Sequence, residues 1–62
     1  MSALATIQLK AGNPSLTTSV TVEGKKHTGY YNLEAVLARM IEKFGKVSVR
    51  WMPDSYTVYV YK

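Results

Sequence analysis

The chain has no cysteine, which removes disulfides and every thiolate metal site. Histidine occurs once, at His27, so no histidine cluster exists to hold a metal. Acidic residues are few. Glu23, Glu34, Glu42 and Asp54 stand against eight lysines and arginines, for a net charge of +4. That excess suits a polyanion partner and equally a merely well-solvated surface. Long apolar runs are missing too. No stretch reaches the roughly 20 apolar residues of a membrane span, and residues 1–15 lack the apolar centre of a signal peptide. A cytoplasmic protein with no membrane partner is expected.

The same scarcity argues against catalysis. Glu23 falls at a strand end, Glu34 and Glu42 on the outer face of a helix, and Asp54 in a turn, so no two carboxylates are placed for acid–base work. No glycine-rich loop follows a strand to cradle phosphate. The expectation is a non-enzyme without cofactors. A single domain over residues 1–62 buries only about 60% of its unfolded surface. Chains this short lean on disulfides, metal or self-association. The first two are gone, so a homodimer is expected.

What the chain does contain is a strong helical stripe. In Asn32–Phe44, Leu33, Val36, Leu37, Met40, Ile41 and Phe44 recur at helical spacing. Asn32 suits the N-cap, Tyr31 and Val36 take the staple positions around it, and Gly45 suits the stop. Lys43 complements the negative helix end, and Arg39 with Glu42 forms an i,i+3 pair.

Around this helix the pattern alternates with period two. Residues 3–10 put Ala5, Ile7 and Leu9 on one side. Gly12-Asn13-Pro14-Ser15 reads as a turn. Residues 16–23 then put Leu16, Thr18, Val20 and Val22 inward, with Thr17, Ser19, Thr21 and Glu23 outward. The stretch from Gly24 to Tyr31 is basic and irregular and reads as a loop. Residues 46–52 and 56–61 are two further strands around a turn at Pro53-Asp54-Ser55. Opposing Trp51 to Tyr56, Val49 to Val58 and Val47 to Val60 keeps all apolar pairs on one face.

The fold class is therefore α+β, in the order β-β-α-β-β: a four-stranded, mainly antiparallel sheet with one helix packed on one face. Two strand orders keep all neighbours antiparallel, second-first-third-fourth and first-second-fourth-third, and both stay open. The expected core is Ile7, Leu9, Leu16, Val20, Val22, Leu33, Val36, Leu37, Met40, Ile41, Phe44, Val47, Val49, Trp51, Val58 and Val60, with Trp51 as an anchor.

Function is read from what remains outside. Lys25 and Lys26 precede the helix N-terminus, where free N–H groups favour anions, and Tyr30 and Tyr31 follow. The plain alternative is a solvated loop, and the same holds for His27. Arg50, Tyr59 and Tyr61 leave the sheet on the side away from the helix, in a combination that stacks bases and that protein interfaces also enrich. Ordinary cross-strand packing is the third explanation. Lys10, Lys43, Lys46 and Lys62 collect at one end of the sheet as a basic rim, if chain direction is followed. No Arg-rich ribbon and no RRM-type aromatic motif is present. The favoured reading is a non-enzymatic protein-interaction module acting through its sheet edge or open face, in an inhibitor or adaptor role. The alternative is nucleic-acid binding by the basic and aromatic face. The binding candidates are Lys25, Lys26, Lys46, Arg50, Tyr59 and Tyr61.

Overall fold

The computed structural model describes residues 3–51 and 55–62. The helix, α1 (Leu33–Phe44), has the bounds its sequence predicts. Asn32 caps it, its side-chain oxygen accepting from the N–H groups of Glu34 at 3.0 Å and Ala35 at 3.3 Å. Gly45 closes it at φ 81°, its N–H donating to Ile41 O. Leu33 and Met40 are buried, with Val36, Leu37 and Phe44 packed against the core.

Five strands, not four, make the sheet: β1 (Ala5–Lys10), β2 (Asn13–Val22), β3 (Lys25–Thr28), β4 (Ser48–Trp51) and β5 (Thr57–Tyr61). All neighbours are antiparallel, in the order β3-β2-β1-β5-β4. The extra strand is β3, in the stretch that reads as a loop. Glu23 and Gly24 both take positive φ, 51° and 84°, and so form the two-residue hairpin turn whose twist matches paired strands. That turn folds Lys25–Thr28 back on Ser19–Val22. Among the other four strands, neither expected order is found. β3 occupies the outer side of β2, and the last hairpin joins at β1 through β5.

Two local details also differ from expectation. The first turn is Ala11-Gly12, and Asn13 and Pro14 already belong to β2. Proline is tolerated there because β3 pairs only with Ser19–Val22, leaving the outer side of β2 free at Pro14. Further along, the register shifts from Gln8↔Ser19 to Leu9↔Thr17. Thr18 is the extra residue of a β-bulge, and the bulge turns Thr17 inward with Leu9. Thr17, expected outward, is fully buried.

The last hairpin slides by two residues. Arg50 opposes Tyr59, Val49 opposes Val60 and Trp51 opposes Val58. A two-residue slide preserves the faces, so the inward and outward sets stand as expected. The expected places of Met52, Pro53 and Asp54 lie outside the described residues.

The helix lies against β2. β4 is three strands away, about 14 Å at roughly 4.8 Å per strand, beyond the reach of a helix about 5–6 Å in radius. Hence Ala5, Ile7, Leu9, Val20, Val58 and Val60 are buried, whereas Val49 and Trp51 are not. Trp51 is 49% exposed and Val49 44%. The expectation that both are core, and that Trp51 anchors it, is overturned. Ile41 is exposed too.

Candidate interaction surfaces

The outer face of the sheet can be read row by row from the register. One row runs Lys26, Thr21, Thr6, Tyr59, Arg50. The next holds Thr28, Ser19, Gln8 and Thr57, with the Thr57 hydroxyl donating to Gln8 Oε1 at 3.2 Å. Ser48 and Tyr61 pair in a third. Arg50 therefore stands directly beside Tyr59, whereas the expected register, with Val49 against Val58 and Trp51 against Tyr56, would set it against Thr57. Lys26 stands at the far end of the row, roughly 19 Å away at about 4.8 Å per strand. Glu23 is in a turn and Glu34 and Glu42 are on the helix, so no carboxylate among the described residues shares this face.

Other candidates are dispersed. Lys25 and Lys26 are consecutive in a strand, so they point to opposite faces. They also sit at the Val22 end of β3, while the helix starts near Leu16, which bridges to Asn32. They do not flank the helix N-terminus. Lys46 is exposed on the crossing from the helix to β4. The basic rim splits. Lys43, Lys46 and Lys62 gather at the end where β2 turns into β3, joined there by Lys25. Lys10 ends β1 at the opposite end, beside Asn13. The first hairpin turn and the helix C-terminus lie at different ends of the sheet. Nor is the basic end free of acid, because Glu23 Oε1 lies 3.8 Å from Lys43 Nζ. This exposed pair forms in place of the expected Arg39–Glu42 pair and is worth under about 1 kcal/mol.

Between α1 and the β2–β3 hairpin lies an open groove of about 620 Å³. Val20, Val36 and Met40 line it, with His27 and Arg39 beside them. His27 is a strand residue opposite Val20, exposed at the groove mouth. Tyr31 and Val36, the staple pair, both line this groove.

The opposite flank of the helix tells more. Leu37 and Ile41 lie across the line of Leu33 and Met40 from the groove, and so face the β5–β4 side. There they overlook Val49 and Trp51, which share the inner face with Val60 and Val58. The result is an uncovered apolar strip along β4. Its rigidity is local: Trp51 Nε1 donates to Ser55 O at 3.1 Å, and Ser55 Oγ accepts from Thr57 N–H at 3.1 Å.

Among the described residues the backbone of β4 is paired on one side only, with β5. Leu9 N–H donates to Tyr56 O at 2.6 Å and Leu4 N–H to Val60 O at 2.8 Å. Even-numbered residues of β5 thus aim their polar groups at β1. Tyr59 and Tyr61 aim theirs at β4, where they meet Arg50 and Ser48. The N–H and C=O groups of Val49 and Trp51 consequently point out of the sheet. The two sheet edges differ in kind. β3 presents Lys25, Lys26 and His27, all exposed, and charged residues discourage strand pairing. β4 presents Val49 and Trp51 with Arg50 alone between them.

Alternation puts Val49 and Trp51 on the correct face, but only the helix position shows that they are uncovered. Among the described residues no group of three or more His, Asp or Glu side chains could hold a metal ion, and no helix is long and apolar enough to cross a membrane. Comparison with family models, with curated proteins and with solved structures finds no match.

Proposed function

We propose that this chain is a non-enzymatic protein-interaction module whose binding surface is the β4 edge with the apolar strip beside it. One observation carries the reading: Trp51, the single tryptophan, is half-exposed beside Val49 on a strand whose outer backbone groups find no partner among the described residues. Tryptophan is enriched among interface hot spots, and an open strand edge offers hydrogen bonds to an added strand. A role as inhibitor or adaptor follows from occupying a partner's surface without chemistry.

The test is capture from source-cell lysate by the immobilised chain, with and without nuclease. Proteins retained by the wild type are expected to be lost by Trp51→Ala, with circular dichroism showing the fold intact. Retention that vanishes with nuclease, or that ignores Trp51→Ala, would overturn the reading.

A second reading has its own observation. The outer face carries Lys26 and Arg50 at the two ends of one row, Tyr59 beside Arg50, and no described carboxylate. Such a face suits single-stranded nucleic acid through stacking and phosphate contacts.

A further inference from the structure

We infer that the strand added to β4 is β4 of a second copy, in one definite register. The inference rests on the proposed binding surface and names its occupant. A twofold axis normal to the sheet pairs two β4 strands antiparallel and keeps their faces matched. Face matching then limits the pairing to registers that differ by two residues.

Among the three registers centred on Ser48, Val49 or Arg50, charge chooses. Centring the axis on Arg50 sets Arg50 against Arg50 of the second copy. Centring it on Ser48 sets Arg50 against Lys46. Like charges directly opposite are destabilising. Centring it on Val49 sets Val49 against Val49, Val47 against Trp51, and Ser48 against Arg50. All inner-face pairs are then apolar, and no two cations oppose each other.

The backbone agrees with that register. Val49 and Trp51 are the residues whose N–H and C=O groups leave the sheet, and Val47, two before Val49, continues the set. Val49 would thus form a hydrogen-bonded pair with its own copy, and Val47 with Trp51. Since each helix sits over β2, no helix obstructs the join. The two apolar strips merge into one trough flanked by Leu37 and Ile41 of both copies. The lysine-bearing β3 edges end up at the outside of a ten-stranded sheet.

The absence of cysteine makes the register measurable. In Val49→Cys the only thiols in the dimer face each other, with Cα atoms about 5.5 Å apart, a separation a disulfide spans. In Arg50→Cys the thiols lie on the outer face and are offset along the strand. Mild oxidation of Val49→Cys is expected to give covalent dimer at least about tenfold faster than Arg50→Cys, a ratio worth about 1.4 kcal/mol in barrier. Wild-type protein at tens of micromolar is expected to sediment at about twice its 6.9 kDa. Faster cross-linking of Arg50→Cys would overturn the register. A folded wild-type monomer, with neither variant cross-linking, would overturn self-pairing altogether. In that case loss of a captured protein by Trp51→Ala would leave the interaction surface standing, and no such loss would remove both.

Discussion

Thr17 is the residue on which the join between sheet and helix depends. Its side chain is fully buried. The hydroxyl donates to Gly29 O and accepts from Tyr31 N–H, both at 3.2 Å, while its own N–H donates to Tyr31 O at 2.8 Å. The segment that leads from β3 into the Asn32 cap is thereby fastened to β2. Thr17→Val keeps the shape and strands a carbonyl and an N–H. It is expected to cost about 1–3 kcal/mol, seen as a lower urea midpoint at unchanged slope. Thr17→Ser keeps the hydroxyl and should lose less. Strict alternation assigns Thr17 to solvent, because three hydroxyl residues in a row, Thr17-Thr18-Ser19, hide which one is the bulge. Trp51 shows the other way residue-level reading falls short. Its alternation with Arg50 gives the face, and its size argues for burial. Cover, however, depends on where the helix lies across the sheet, which no residue near Trp51 encodes.

At the level of elements, legibility follows locality. The helix depends on neighbours within four residues, so period, cap and stop are all visible between Asn32 and Gly45. β3 is also local, yet Lys-Lys-His-Thr has weak strand propensity, and its only announcement is the Glu23-Gly24 turn. Gly24 sits at φ 84° with nothing within 4 Å of where a Cβ would stand. Gly24→Ala therefore meets no clash and carries only the backbone cost of a left-handed residue, about 1 kcal/mol. The expected result is a melting temperature lower by about 4–8 °C. A larger drop would mean that β3 supports more of the fold than its exposure suggests. Strand order is not local. With β3 on β2, the last hairpin joins at the free side of β1 and not at the lysine-bearing edge of β3. It joins through β5, whose Val58 and Val60 tolerate full burial, and leaves the more polar Ser48–Trp51 strand at the edge.

Over the whole molecule, shape and charge set the limits on what binds. The radius of gyration, 10.6 Å, matches the ~10.6 Å of a compact monomer of this length. The fold therefore closes on itself, and the proposed edge pairing would add a copy without exchanging elements. The charge of +4 is divided: Lys43 is engaged with Glu23, Lys10 and Lys62 stand at opposite ends, and the outer face keeps Lys26 and Arg50. A single chain thus offers a nucleic-acid strand few simultaneous phosphate contacts, each contributing about 0.7 to the slope of log affinity against log salt for single strands. A labelled single-stranded oligonucleotide is expected to bind weakly at about 50 mM salt and to be released by about 200 mM. Lys26→Ala should lower that slope. Tyr59→Ala should leave affinity unchanged, because a purely electrostatic association does not use the ring. A stacked base on Tyr59 would instead be worth about 1–3 kcal/mol, at both salt concentrations. Fluorescence titration of wild type and both variants decides the matter. If Tyr59→Ala weakens binding about tenfold or more, independently of salt, the outer face is a stacking platform and nucleic-acid binding takes precedence over the β4 edge.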